Sequence, residues 1–86
     1  MEITEEIKKA LKDNRLTIGY RSTLKAVRKN LVKRVVIAKN APDWIRKEIS
    51  SIKDIELINV DEDSEMLAIM CGKPFTVSMV GFLEKL

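Results

Sequence analysis

Apolar residues recur at three- and four-residue spacing over Ile3, Ile7, Ala10 and Leu11, which predicts the buried side of a first helix. Acids lie in its first turns and Lys8, Lys9 and Lys12 later, the order a helix dipole favours, and Asp13-Asn14 reads as its stop. Leu16 to Ile18 is a short strand that breaks at Gly19. A second helix is predicted from Ser22, as N-cap, to about Leu31, with Leu24, Val27 and Leu31 on its packed side. Val35 to Ala38 is apolar without alternation, the pattern of a central strand covered on both faces. Turn residues Lys39 to Pro42 follow, and Asp43 is placed as the cap of a third helix that buries Ile45, Ile49 and Ile52, with Trp44 along its edge.

Ile55 to Val60 reads as a third strand, and Asp61 to Ser64 introduces a fourth helix, Glu65 to Cys71. Gly72 stands where glycine ends helices, and Lys73-Pro74 forbids continuation. Phe75, Val77 and Met79 alternate with Thr76, Ser78 and Val80, which predicts a last strand, with Gly81-Phe82-Leu83 beginning a short tail. Helix and strand thus alternate four times, predicting an α/β domain with helices on both faces of a small sheet. In that layout the loops after strands one, two and four could converge at one end; they are Gly19 to Ser22, Lys39 to Pro42 and the region around Lys73 to Phe75. With no repeat, low-complexity tract or linker, a single domain over residues 1–86 is expected.

Charge changes this picture more than composition does. The net charge of +3 hides a split: residues 1–40 carry eleven Lys+Arg against four Asp+Glu, and residues 41–86 carry five against nine. A polyanion feels only charges within about a Debye length of its phosphates, so the partner surface is expected in the first half. Arg21, Lys25, Arg28 and Lys29 fall at helical spacing on a side other than the packed one. Gly19 allows close approach at the mouth of this helix, where free N–H groups and the dipole favour an anion. Tyr20 offers a ring that could stack, and a solvated basic helix after an ordinary turn accounts for the charges alone.

Several chemistries find little support. The chain has no histidine, and Cys71 is its one cysteine, without an obvious activating neighbour, so an enzyme is not expected and neither is a cofactor or a metal. Asp61-x-Asp63-x-Glu65 fails as a calcium loop, because Met66 and Gly72 stand where that loop needs glycine and glutamate. Gly19 lacks the companion glycines of a dinucleotide fingerprint and the Gly-Lys-Ser/Thr of a P-loop. The acidic start, Glu2 to Glu6, is unlike a targeting segment, and the longest uncharged run, Pro74 to Leu83, is too short to span a bilayer. No membrane partner and no small-molecule substrate are therefore expected.

Ile18 to Lys25, Val35 to Pro42 and Cys71 to Val77 together resemble, in order and spacing, the three signature blocks of the kink-turn RNA-binding ribosomal proteins, the L-seven-Ae and L-thirty-e superfamily. The match is to the L-thirty-e branch of the archaeal and eukaryotic large subunit, and it covers nearly the whole chain. The resemblance implies a three-layer α-β-α sandwich with a small mixed four-stranded sheet, binding a sharply bent RNA with tandem G·A pairs. It further implies a cytoplasmic protein of the ribosome, bound to rRNA and monomeric when off it, or else a stand-alone kink-turn binder. Carried over by position, Gly19, Tyr20, Arg21 and Ser22 would meet the RNA at the strand-to-helix junction, with Lys25 and Arg28 on phosphates. Asn40 would contact RNA from the second loop, Lys73 lies in the third, and Phe75 and Val77 would be apolar contacts for an extruded base. Residues 50–54 form a shorter segment than is typical, which predicts a truncated third helix, and Met66 and Thr76 replace a common glutamate and arginine. From another class, a protein-interaction or small-anion-binding α/β module would use the same helix mouth.

Overall fold

The computed structural model describes residues 2–83. The elements are α1 (Glu2–Lys12), β1 (Leu16–Ile18), α2 (Tyr20–Arg28), β2 (Val32–Ile37), α3 (Asp43–Ser50), β3 (Glu56–Asn59), α4 (Ser64–Cys71) and β4 (Met79–Leu83). The sheet order is β1-β4-β2-β3, with β4 antiparallel to both neighbours and β2 parallel to β3. A mixed four-stranded sheet therefore lies between two helical layers, as the resemblance implies.

Two apolar clusters fill the space between layers. Residues alternate across a strand, so β4 sends Met79 to one face and Val80 and Phe82 to the other. Met79, Val35 and Ile37 pack with Leu24 and Val27 of α2 and Ile45 and Ile49 of α3. Val80, Phe82 and Val36 pack with Ile7 of α1 and Leu67, Ala68 and Cys71 of α4. Asn14 and Asn30, at φ 58° and 62°, stop α1 and α2, their side chains tolerating a left-handed turn better than most. Gly72, at φ 68°, ends α4, and the Lys73 N–H closes the turn on Ala68 O.

Four local expectations change. First, α2 begins at Tyr20 with Gly19 as its N-cap, so Ser22 is an exposed residue of the first turn and caps nothing. Second, α3 is capped by the Pro42 backbone, and Asp43 sits inside the first turn, where its charge still suits the dipole. Third, β2 begins at Val32, three residues early, through a bulge between Val32 and Arg34; Arg34 covers the Phe82 ring, its guanidinium carbon 4.5 Å from the ring centroid. Fourth, the last strand is Met79–Leu83, one of the two inner strands of the sheet. The alternation from Phe75 to Ser78 belongs to a loop whose Val77 N–H donates to Ser64 O at 3.0 Å, and the supposed tail is core.

Candidate functional site

Because β4 runs against β1 and β2, it begins where they end. The Gly19–Ser22 and Lys39–Pro42 segments thus meet the segment that enters β4, rather than one leaving it as expected. β3 is parallel to β2, so the acidic Asp61 to Asp63 connection comes to the same end. Backbone bonds join these segments: Gly19 N–H to Met79 O at 2.8 Å, Ala38 N–H to Ser78 O at 2.8 Å, and Lys39 N–H to Glu62 O at 2.9 Å. The Asn40 side-chain oxygen accepts from Ser64 N–H at 2.8 Å, so Asn40 ties the second loop to the start of α4. That bond takes one lone pair of the side-chain oxygen and leaves both amide donors for a ligand.

Three helices, α2, α3 and α4, begin at this end, and the mouths of α2 and α4 differ. Asp63 caps α4, accepting from Met66 N–H at 2.9 Å, and Glu65 lies in its first turn. No side chain caps α2, whose first backbone bond is Thr23 N–H to Gly19 O at 3.1 Å. The N–H groups of Tyr20, Arg21 and Ser22 are therefore left for an outside acceptor. Gly19, at φ 95° and ψ 163°, is in a region that side chains rarely adopt, and a Cβ there would meet nothing within 4 Å, so the mouth is open.

Cations divide by whether the fold uses them. Arg28 reaches Glu48 at 3.3 Å, Arg34 reaches Glu6 at 3.0 Å, and Arg46 is taken up by two backbone carbonyls and the Asn59 side chain. Among the described residues, Arg21, Lys25, Lys39 and Lys73 are exposed and make no side-chain hydrogen bond or ion pair. Since β1 and β3 are opposite edges of the sheet, the end is cationic toward β1 and acidic toward β3.

Other expected contacts move. Tyr20 is half-buried, its hydroxyl donating to Glu48 Oε1 and its ring set edge-on to Trp44 at 5.1 Å, so it joins α2 to α3. The Glu48 hydrogen bond first, then burial, hold its phenol pKa above the ordinary value. Val77 is 0% exposed in the core, which withdraws its side chain from any ligand, whereas Phe75 is 57% exposed. Burial pushes the Cys71 thiol pKa up, which disfavours the nucleophilic thiolate. Among the described residues no cluster suits a metal ion, and no helix is long and apolar enough to cross a membrane. The groove lined by Glu6, Arg15, Arg34 and Phe82 lies by the start of β1, at the other end.

Two residues of this end carry no signal in the pattern. Lys39 reads simply as part of a turn. Arg46, on α3, donates to Ala38 O at 2.9 Å, Lys39 O at 3.0 Å and Asn59 Oδ1 at 2.7 Å. Its planar fork thereby holds the carbonyls where β2 passes into the second loop. Arg46→Ala is expected to cost about 2 kcal/mol, since hydrogen bonds to charged groups are worth about 1.5–3 kcal/mol each and water replaces part of them. Thermal unfolding together with hydrogen exchange at Lys39 to Ala41 checks this; unchanged protection in the variant would show that the loop holds itself.

A sequence model of the family described as "Ribosomal protein L7Ae/L30e/S12e/Gadd45 family" matches residues 1–85. The chain is 32% identical over 85 residues to Large ribosomal subunit protein eL30 of Archaeoglobus fulgidus, covering 99% of this chain and 98% of that one. It is 30% identical over 83 residues to eL30 of Sulfolobus acidocaldarius, covering 93% and 80%. Among solved structures, a Giardia lamblia 15.5kD RNA binding protein superposes with a TM-score of 0.80 at 17% identity, covering 98% of this chain and 72% of that one, a likeness of fold.

Proposed function

The chain belongs to the ribosomal protein L7Ae/L30e/S12e/Gadd45 family, and from that premise we propose that it is a large-subunit ribosomal protein that binds a kink-turn of rRNA. Its relatives are named as large-subunit ribosomal proteins, which supports a non-enzymatic role at the ribosome in the cytoplasm. The observation that carries the reading is the uncapped mouth of α2, with Gly19 open beside it and Arg21 and Lys25 unpaired.

A kink-turn brings two backbones together and splays its bases, so a protein that favours it must neutralise crowded phosphates and reach exposed base edges. The N–H groups of the α2 first turn donate to a phosphate or a base oxygen, Arg21 can fork onto guanine acceptors, and Lys25 supplies charge one turn further along. Asn40 offers its amide donors from the second loop, Lys73 adds charge, and Phe75 covers an extruded base. These contacts exist together only on the bent RNA, so binding draws the RNA toward the bend by differential affinity.

Phe75→Ala is expected to weaken kink-turn binding about tenfold or more, since base–aromatic stacking is worth ~1–3 kcal/mol, while an exposed ring contributes little to the melting temperature. Titration and thermal unfolding of the same variant check this, and a large fall in melting temperature with unchanged affinity would assign the ring to the core. Competition tests the reading as a whole. Kinked RNA should bind tightly, lose affinity steeply with salt and resist displacement by a mononucleotide. Displacement by micromolar mononucleotide would instead make the mouth a small-anion site.

A further inference from the structure

The indole of Trp44 is 59% exposed although tryptophan is the largest apolar side chain in the sequence. It stands in the first turn of α3, two residues past Pro42, and α3 starts at the same end of the sheet as α2. Tyr20 meets it edge-to-face, at 77° between ring planes, and Tyr20 is itself fixed by Glu48. An aromatic partner at right angles restrains a ring without covering both of its faces. The indole is thus restrained while 59% exposed, and the Tyr20 that restrains it directly precedes Arg21 in the first turn of α2.

We infer that Trp44 is a stacking platform for an unpaired nucleobase flanking the RNA bend, on the α2–α3 side of the sheet and separate from the base met by Phe75. The inference rests on the RNA-binding reading given above. Charge supports a base rather than a phosphate as occupant: Asp43 adjoins the indole and repels phosphate, while Arg21 and, one turn along α3, Lys47 are exposed cations that can hold the flanking backbone. Stacking on an indole is tolerant of base identity, so the platform adds affinity for an unpaired nucleotide at this position without reading its sequence.

Trp44 is the sole tryptophan of the chain, so its emission reports on this position alone. Titration of the full chain with a short kink-turn RNA should quench that emission in step with binding seen by electrophoretic mobility. Trp44→Ala should weaken binding about tenfold, with Trp44→Phe restoring part of it; both variants should remain folded, Trp44→Ala with the small drop in melting temperature that loss of the Tyr20 edge contact brings. Making the flanking unpaired nucleotides abasic, one at a time, should identify one whose loss weakens the wild type by the same factor and leaves Trp44→Ala unaffected. RNA binding with unchanged emission and unchanged affinity in Trp44→Ala would overturn the inference and free the indole for a protein neighbour. Absence of RNA binding by the wild type would overturn the RNA-binding reading itself.

Discussion

Gly81→Ala should lower stability by about 2 kcal/mol, and for a domain of this size that is a fall of roughly 10 °C in melting temperature. Gly81 is in β4, an inner strand, paired with Thr17 on one side and Val35 on the other. A Cβ placed there would lie 2.7 Å from Thr17 Oγ1, 2.9 Å from Val32 Cγ1 and 3.0 Å from Thr23 Cγ2. None of the three is the far end of a flexible chain. Thr23 is 0% exposed on the sheet-facing side of α2, and its hydroxyl and that of Thr17 share a part-buried 2.9 Å hydrogen bond, so either threonine must break a polar contact to retreat. The missing side chain is what lets α2 approach the sheet. Thermal unfolding measures the effect, and an unchanged midpoint would mean that α2 does not pack at this distance.

The second large effect concerns binding. Replacing Arg21 and Lys25 together by alanine should reduce affinity for kinked RNA on the order of a hundredfold at moderate salt, from about 1.5 kcal/mol for each lost charge-assisted contact. The slope of log affinity against log salt should flatten by roughly 1.5, because two fewer counterions are released per complex. Folding should not change, as both side chains are exposed and neither is paired in the described structure. Arg28→Ala provides the comparison. Its guanidinium already neutralises Glu48, so its loss should alter affinity far less. Equal losses from both variants would show that RNA answers to the total charge of α2 and not to its mouth.

Local signals in the chain predict local structure well. The helical spacing of Ile3, Ile7 and Ala10, the break at Gly19 and the stop at Gly72 depend on residues within one or two turns of each other, and all three reappear in the structure. The short α3, ending at Ser50, likewise agrees with the shortened segment after it. Errors arise where a distant partner decides. Phe75 to Ser78 alternates like a half-buried strand, yet the ladder is formed by Met79 to Leu83, a run that is apolar throughout because helices cover both of its faces. Glycine at 81 looked like a terminus only because Thr17 and Thr23, far away in sequence, are what it accommodates.

The same division holds at the candidate site. Gly19, Arg21 and Lys25 were readable because a helix mouth is a local object. Arg28 and Arg46 were not distinguishable from them by composition: Glu48 claims one and the Ala38 and Lys39 carbonyls the other, through contacts that only the packing of α3 creates. Val77 was legible as apolar but not as buried, since α4 and the Ser64 carbonyl draw its segment inward. Tyr20 and Trp44 meet across two helices, so their pairing leaves no trace in either local pattern.

The most direct test of the central claim is a titration of the purified protein against a short kink-turn RNA and a matched duplex whose G·A pairs are replaced by Watson–Crick pairs, at low and moderate salt. Tight binding to the kink-turn, with a preference over the duplex that persists at moderate salt, is the predicted result. Equal binding to both RNAs that fades together as salt rises would contradict it and reduce the α2 mouth to a basic patch.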